Sequence, residues 1–409
     1  MTKTLESARK TVAAMAVTLA ATAFASALPA LSAGPASALP ALSAGPASAA
    51  PAVAAIASPF ALPRPSGHFA VGREVLHLVD RSRPDPWVPG SPRELMVSMF
   101  YPAVALPGPR APYLSAAEAR LLIDDRKATG VIDPAELGAT RTASVASAPP
   151  RRGRFPLVVL SPGFTLHRHT LTHLAEELAS RGYVVATADH AHESAGTDFP
   201  GGRTLSCTAC SVVKGQGDPG HARVAAGRSR DLSFLLDRLT GDRPVWRHAR
   251  LIDRTRIGMA GHSIGGNATA VTMAADPRVR AGINMDGTLF EPVPAGGLGG
   301  RPFMLLGAPT VAPGAGPDKT WVRDWPLMDG WKRWLSVTGS GHLDFTDIPV
   351  IGEQAGIPDP GYPLPGSRAA RITRDYVNAF FDLHLRGVPQ PLLDGPAAGY
   401  PEVLFQQRS

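Results

Sequence analysis

Phe155 to Ser161 (FPLVVLS) is a continuous apolar run, and Tyr183 to Ala188 (YVVATA) reads as another buried strand. A strand with no polar face must be covered on both sides, as happens inside a parallel sheet. Between them Leu171, Leu174, Ala175 and Leu178 fall at i, i+3, i+4 and i+7, a helix that Gly182 closes. The alternation continues along the chain. Arg93 to Tyr101 (RELMVSMFY) reads as a strand ended by Pro102, and Leu232, Leu235, Leu236 and Leu239 mark a helix. Arg256 to Ala260 (RIGMA) reads as strand, and Ala268 to Ala275 as helix. Ala281 to Met285, Pro302 to Leu306 and Trp334 to Val337 are further short strands, the last of them reading as final. A helix bearing Ile372, Tyr376, Val377, Phe380 and Phe381 on one face then closes the domain. The expectation is an open α/β fold, a mostly parallel central sheet with helices on both faces. Ligands of such folds bind beyond the carboxyl ends of the strands.

At one strand end stands Gly261-His262-Ser263-Ile264-Gly265, followed by Gly266. G-x-S-x-G between a strand and a helix is a sharp, strained turn that lifts the Ser hydroxyl into a cleft, with glycines where side chains would collide. Ser263 is therefore the expected nucleophile. Serine needs a base, and in the chain order Ser, acid, His only His342 and His384 follow it. His384 sits among apolar positions of the last helix. His342 lies in the small-residue loop Gly339-Ser340-Gly341-His342 after a strand, and is preferred. Asp286 follows the strand Ala281 to Met285 and precedes Gly287, which suits the acid. Asp318, Asp324 and Asp329 are rivals in a Pro- and Trp-rich stretch that reads as a surface loop. An oxyanion hole needs two N–H groups, expected from Ile264 and from Phe164 in the bend Ser161-Pro162-Gly163-Phe164.

Composition bounds the rest. Of the first 60 residues 22 are Ala, and none is charged between Lys10 and Arg64, so this stretch cannot build a core. Lys3, Arg9 and Lys10 precede the apolar Thr11 to Ala25 and A-x-A patterns, the layout of a secretory signal peptide. A retained membrane anchor is the lesser alternative. Residues 27–37 (ALPALSAGPAS) recur unchanged at 38–48, a duplication without assigned function. The expected organisation is a leader over 1–49, a linker over 50–64 and one catalytic domain over 65–409. The net charge of +7 falls to about +5 without Lys3, Glu6, Arg9 and Lys10, and no basic face is interleaved with aromatics, so no nucleic-acid partner is expected.

These residues resemble the secreted, plasma-type platelet-activating-factor acetylhydrolases and their bacterial lipase-like relatives in the α/β-hydrolase superfamily. The resemblance rests on MFYPA, VVLSPGF, ASRGYVVATADH, GHSIGG, INMDG and GSGHLDFTD. It implies the α/β-hydrolase fold and an acid one strand earlier than in many hydrolases, favouring Asp286. It also implies Ca²⁺-independent cleavage of short or oxidised acyl groups from phospholipids or related esters, without a cofactor and with transient contact to a lipid surface. Two departures are the Leu205 to Gly220 insertion and the Trp-rich segment. Two other readings stay open: a broad lipase, cutinase-like polyester hydrolase or secreted peptidase on the same triad, or a secreted binding protein that keeps the fold without turnover.

Three features have plainer readings. Cys207-Thr208-Ala209-Cys210 has no second C-x-x-C to complete a zinc site, and in an exported chain it reads as a local disulfide. His167, His169, His173, His190, His192 and Glu193 lack H-E-x-x-H spacing and read as cleft-lining or surface groups, with no metal expected. Trp321, Trp325, Trp331 and Trp334 either wall an acyl pocket or fill core.

Overall fold

The computed structural model describes residues 58–309, 318–357, 359 and 361–408. The expected leader, its duplication and most of the expected linker lie outside the described residues. Residues 55–409 cluster as one compact unit. The end of the expected linker packs rather than hangs free: Phe60 and Leu62 are buried against Leu114, Leu122 and Leu137.

The described strands are β1 (Ala70–Pro84), β2 (Pro92–Ala103), β3 (Val145–Ala146), β4 (Phe155–Ser161), β5 (Val184–His190), β6 (Gly196–Phe199), β7 (Arg203–Ser206), β8 (Ile252–His262), β9 (Val279–Met285), β10 (Phe303–Gly307), β11 (Lys332–Val337) and β12 (Val403–Arg408). Ten of them form one sheet in the order β12-β11-β10-β9-β8-β4-β5-β2-β1-β3, while β6 and β7 make a separate hairpin. Neighbours from β5 through β4, β8, β9 and β10 to β11 are parallel. β2 joins β5, and β12 joins β11, antiparallel. This is the α/β-hydrolase architecture that the sequence implies.

Alternation along β4 divides its side chains between two cores. Leu157 and Val159 face one, with Leu232, Leu235 and Leu236; Val158 and Leu160 face the other, with Leu174, Leu178, Phe380 and Phe381. The helices are α1 (Ala116–Asp125), α2 (Pro134–Gly138), α3 (Thr172–Ser180), α4 (Thr208–Gln216), α5 (Asp218–Thr240), α6 (Ile264–Ala275), α7 (Lys319–Asp324), α8 (Ile348–Gln354) and α9 (Gly366–Arg386). Helices α5 and α6 cover the first face, and α3 and α9 the second. Each large side chain buried this way contributes about 1.5–3 kcal/mol.

One correction and one strand absent from the sequence reading concern the sheet edges. The chain does not end on α9, because β12 follows it and pairs with β11, so Trp334 to Val337 is not the final strand. The long β1 runs antiparallel to β2 from Ala70 opposite Ala103 to Asp80 opposite Arg93. Its apolar pattern is broken by Arg73, Glu74 and His77, which find partners outside the strand.

From β4 the chain passes to β5 on one side, then returns to β8 on the other. The carboxyl ends of β4 and β8 therefore flank the switch point where a ligand crevice forms. The expected oxyanion bend and the expected nucleophile are the two segments placed there.

Candidate active site

Ser263 sits between β8 and α6 with φ 56° and ψ −126°, a conformation that costs an L residue of order 1–3 kcal/mol. Its surroundings enforce the turn. A Cβ on Gly261 would stand 2.1 Å from the Gly265 carbonyl, and one on Gly265 would stand 2.1 Å from the Ser161 carbonyl oxygen. The Ser263 N–H donates to the Met285 carbonyl at 2.8 Å, pinning the turn to the end of β9.

Asp286 follows β9, also at positive φ (56°). Its Oδ2 lies 2.6 Å from Nδ1 of His342, and its Oδ1 accepts the Ala308 N–H at 2.8 Å. A carboxylate only accepts, so Nδ1 carries the proton and Nε2 is left as the basic nitrogen. The three rivals are otherwise engaged. Asp318 caps α7 through the Thr320 N–H, Asp324 accepts from the Val293 N–H and Arg323, and Asp329 accepts from the N–H groups of Leu298 and Gly300. Asp324 is fully buried, which corrects the reading of this segment as a surface loop.

Ser263, Ile264, Phe164, Asp286 and His342 line one cavity of about 270 Å³. Ile264 is the first residue of α6, where an N–H has no partner within its own helix. The Phe164 N–H has no backbone acceptor among the described residues. Trp321 and Trp334 line the same cavity with Phe290 and His221, whose rings stack at 4.6 Å. Trp325 packs in the core beside Trp334, and Trp331 lies against His384 at 4.4 Å. The tryptophans thus divide between the cavity and packing.

Two supporting residues escaped the sequence reading. His262 is buried, and its Nε2 donates to the His342 carbonyl at 2.7 Å, fixing the expected base from behind. Burial, and then His342 itself, hold the His262 imidazole well below its usual range, so it stays neutral. Asn284 is also buried. Its Oδ1 accepts the Gly287 N–H at 2.8 Å and its Nδ2 donates to the Gly287 carbonyl at 2.7 Å, shaping the turn that carries Asp286. The only available signal was an Asn two positions before the expected acid in INMDG.

Four of the five clustered histidines are buried packing groups, not surface or cleft-lining ones: His167, His169, His173 and His190 are shielded from solvent, while His192 is half-buried. His190 bridges Ser161 Oγ (3.1 Å from Nε2) and Asp231 (2.6 Å from Nδ1), an arrangement with triad connectivity but no access for a substrate. Arg93 and Arg228 neutralise Asp231 and Glu193, and Arg228 also donates to the Pro162 carbonyl within the expected oxyanion bend. Glu118, His169 and Asp189 have the donor types of a cation site, with atoms within 4.8 Å of one another. Arg168 pairs with Asp189, and Arg73 lies 3.0 Å from His169 Nδ1, so two guanidinium groups already fill that role and the set does not fit a metal. Cys207 and Cys210 are bonded to one another at the start of α4, within the Leu205 to Gly220 insertion.

Residues 59–200 match the family of platelet-activating factor acetylhydrolase, isoform II. A probable 1-alkyl-2-acetylglycerophosphocholine esterase of Arthroderma benhamiae is 32% identical over 86% of this chain and 95% of its own length. A bis(hydroxyethyl) terephthalate hydrolase of Streptomyces coelicolor is 31% identical over 32% of each chain. A ferulic acid esterase from Streptomyces cinnamoneus, of solved structure, superposes with a TM-score of 0.76 at 44% identity, covering 86% of this chain and all of its own. With its sheet order, its strained serine turn and these relatives, the chain belongs to the platelet-activating factor acetylhydrolase, isoform II, family and is a carboxylic-ester hydrolase of the α/β-hydrolase fold.

Proposed function

We propose that the chain is an exported serine esterase that removes short or oxidised acyl groups from phospholipids or related lipid esters. The Ser263 hydroxyl attacks the ester carbonyl while Nε2 of His342 takes its proton. The N–H groups of Phe164 and Ile264 hold the tetrahedral oxyanion. Collapse expels the alcohol, which leaves with the proton from His342, and water activated by the same nitrogen then releases the acid and frees Ser263. Asp286 orients His342 and stabilises the imidazolium. This chemistry requires no metal or cofactor.

The observation that carries the reading is the 2.6 Å Asp286–His342 contact in one cavity with Ser263. Its volume of about 270 Å³ falls just below the usual range for ligand sites, which favours a compact acyl group. Export is supported by the leader and by the Cys207–Cys210 bond, which suits an oxidising compartment.

A second reading is favoured by the aromatic wall of Phe164, Phe290, Trp321 and Trp334, which would also seat a flat aromatic acyl group. Two relatives named for esters of aromatic acids point the same way. The test is hydrolysis of p-nitrophenyl acetate, butyrate and laurate, methyl ferulate and a matching anilide, with Ser263→Ala as control. The lipid-ester reading expects acetate and butyrate to lead, the anilide to fail and Ser263→Ala to be inactive. Preference for methyl ferulate moves the assignment to aromatic acids. Equal, slow rates for wild type and Ser263→Ala would overturn both.

A further inference from the structure

Ser161, the last residue of β4, lies between the two expected oxyanion donors. It is in register with Gly261 of the serine turn across the β4–β8 pair, and the chain reaches Phe164 three residues later. Its carbonyl oxygen lies against Gly265, where an added Cβ would stand 2.1 Å away, and Gly265 directly follows Ile264. The position of Ser161 therefore bears on both N–H groups at once. Its side chain reaches a different set of partners. The buried hydroxyl is 3.1 Å from Nε2 of His190 at the end of β5, and Nδ1 of His190 is 2.6 Å from Asp231 of α5. Nη1 of Arg228, one turn earlier on α5, reaches the same hydroxyl at 3.4 Å.

The surroundings decide where the protons sit. Against the effect of burial, Arg93 and His190 hold the Asp231 carboxyl far below the usual carboxylate range, so it is charged and only accepts. Nδ1 of His190 therefore carries a proton. Burial, and then Arg228, lower the His190 imidazole below its ordinary range, so the ring is neutral and Nε2 keeps a lone pair. Ser161 Oγ must donate to that nitrogen, while its own lone pair takes the Arg228 N–H. One orientation of the hydroxyl satisfies both partners, and it holds the end of β4 in place.

On the mechanism proposed above, we infer that Ser161, His190 and Asp231 are positioning residues for the oxyanion hole. The relay fixes Ser161, and with it the spacing between the Phe164 and Ile264 N–H groups. Such donors must meet the developing oxyanion at about 2.7–3.1 Å. A displacement of about 1 Å can cost about 100-fold in rate.

The experiment compares Ser161→Ala, His190→Asn and the double variant. The Asn amide keeps a donor for Asp231 and removes the acceptor of Ser161. Each protein is assayed on p-nitrophenyl acetate and against an alkyl trifluoromethyl ketone. On the ketone, Ser263 Oγ bonds to the carbonyl carbon, the C=O π pair moves to oxygen, and His342 takes the serine proton. We expect each single variant to lower kcat by about 10- to 100-fold with KM within about twofold. Ketone affinity should fall in step with kcat, and the double variant should be no worse than the singles, because both break one contact. Thr240→Val, which removes a buried hydroxyl at the carboxyl end of α5, keeps the wild-type kcat whatever it costs in stability. Should Ser161→Ala not fold, His190→Asn decides alone. Unchanged kcat, losses that multiply in the double variant, or a kcat loss with ketone affinity unchanged overturns the assignment. Failure of wild type to exceed Ser263→Ala on the ester instead overturns the ester-hydrolase reading itself.

Discussion

At the scale of single residues, two aspartates that compete in sequence for the role of acid do different work. Asp286 spends one oxygen on His342 and the other on the Ala308 N–H, so its removal changes the base and leaves the packing largely alone. Asp324 spends its oxygens on Arg323 and on the Val293 N–H, a backbone donor with no solvent access. We expect Asp286→Asn to lower kcat by about 10⁴ with a small change in melting temperature, because Asn stabilises the wrong tautomer of His342. Asp324→Ala should do the reverse. It should lose about 1–3 kcal/mol of stability through the unpaired Val293 N–H while kcat stays near wild type. Paired kinetics and thermal melts of the two variants check this, and activity lost in Asp324→Ala but kept in Asp286→Asn would reassign the acid. Asp286 was legible in sequence because a strand end followed by Gly287 marks where a side chain can leave the sheet. Asp324 was misread because its partner Val293 is 31 residues away, a contact that no local pattern records.

Between elements, α5 does more than cover the sheet. Arg228 projects from it to Glu193 and to the Pro162 carbonyl, so the helix holds the Ser161–Phe164 bend. The arginine is fully buried, and its charge is matched by Glu193, itself paired with Arg93. Arg228→Met is expected to destabilise the fold by about 3–5 kcal/mol, since an acid is left with half its compensation in a dry site. On the role proposed for the Phe164 N–H, the same variant should lower kcat for an acetate ester more than it raises KM, because an oxyanion donor matters more in the transition state than in the bound substrate. Urea unfolding and steady-state kinetics on one preparation read both effects. A stability loss with kcat unchanged would leave Arg228 as a packing residue only. The strained serine turn is legible in the sequence because part of its steric demand is local: Gly261 meets backbone that the motif itself supplies at Gly265, although Gly265 in turn meets the distant Ser161 carbonyl. The α5 contact is not, since it joins residues 66 positions apart.

For the whole molecule, the central parallel strands could be read from sequence because burial on both faces writes continuous apolar runs. The edges could not. β1 mixes charged residues into its pattern and β12 is a short strip beyond the last helix, and both are specified by the neighbours they pair with. A cavity of about 920 Å³ that His342 also lines was invisible for a related reason, its walls being contributed by α1, α2 and α8, short helices far apart in the chain. The same long-range burial fixes how the fold responds to acid. His384, packed between Trp331 and Phe380, is held down at about 4 by burial and by Arg333, below its ordinary value of 6.5. The unfolded chain therefore binds this proton first, so the stabilising contribution is intact above about pH 6.5 and is lost as pH falls towards 4. Asp344, in the turn of His342, has the opposite sign. Burial raises it from 3.8 to about 6, the folded state takes its proton first, and stability is gained as pH falls through 6. Between pH 7 and pH 5 the two groups oppose one another in one cooperative transition. His384→Gln should lose less stability than wild type over that interval, whereas Asp344→Asn, which keeps an acceptor for the Gly341 N–H, should lose more. Urea unfolding of the three proteins at both pH values reads the difference directly, and variants that shift in the same direction would show that neither group governs the response.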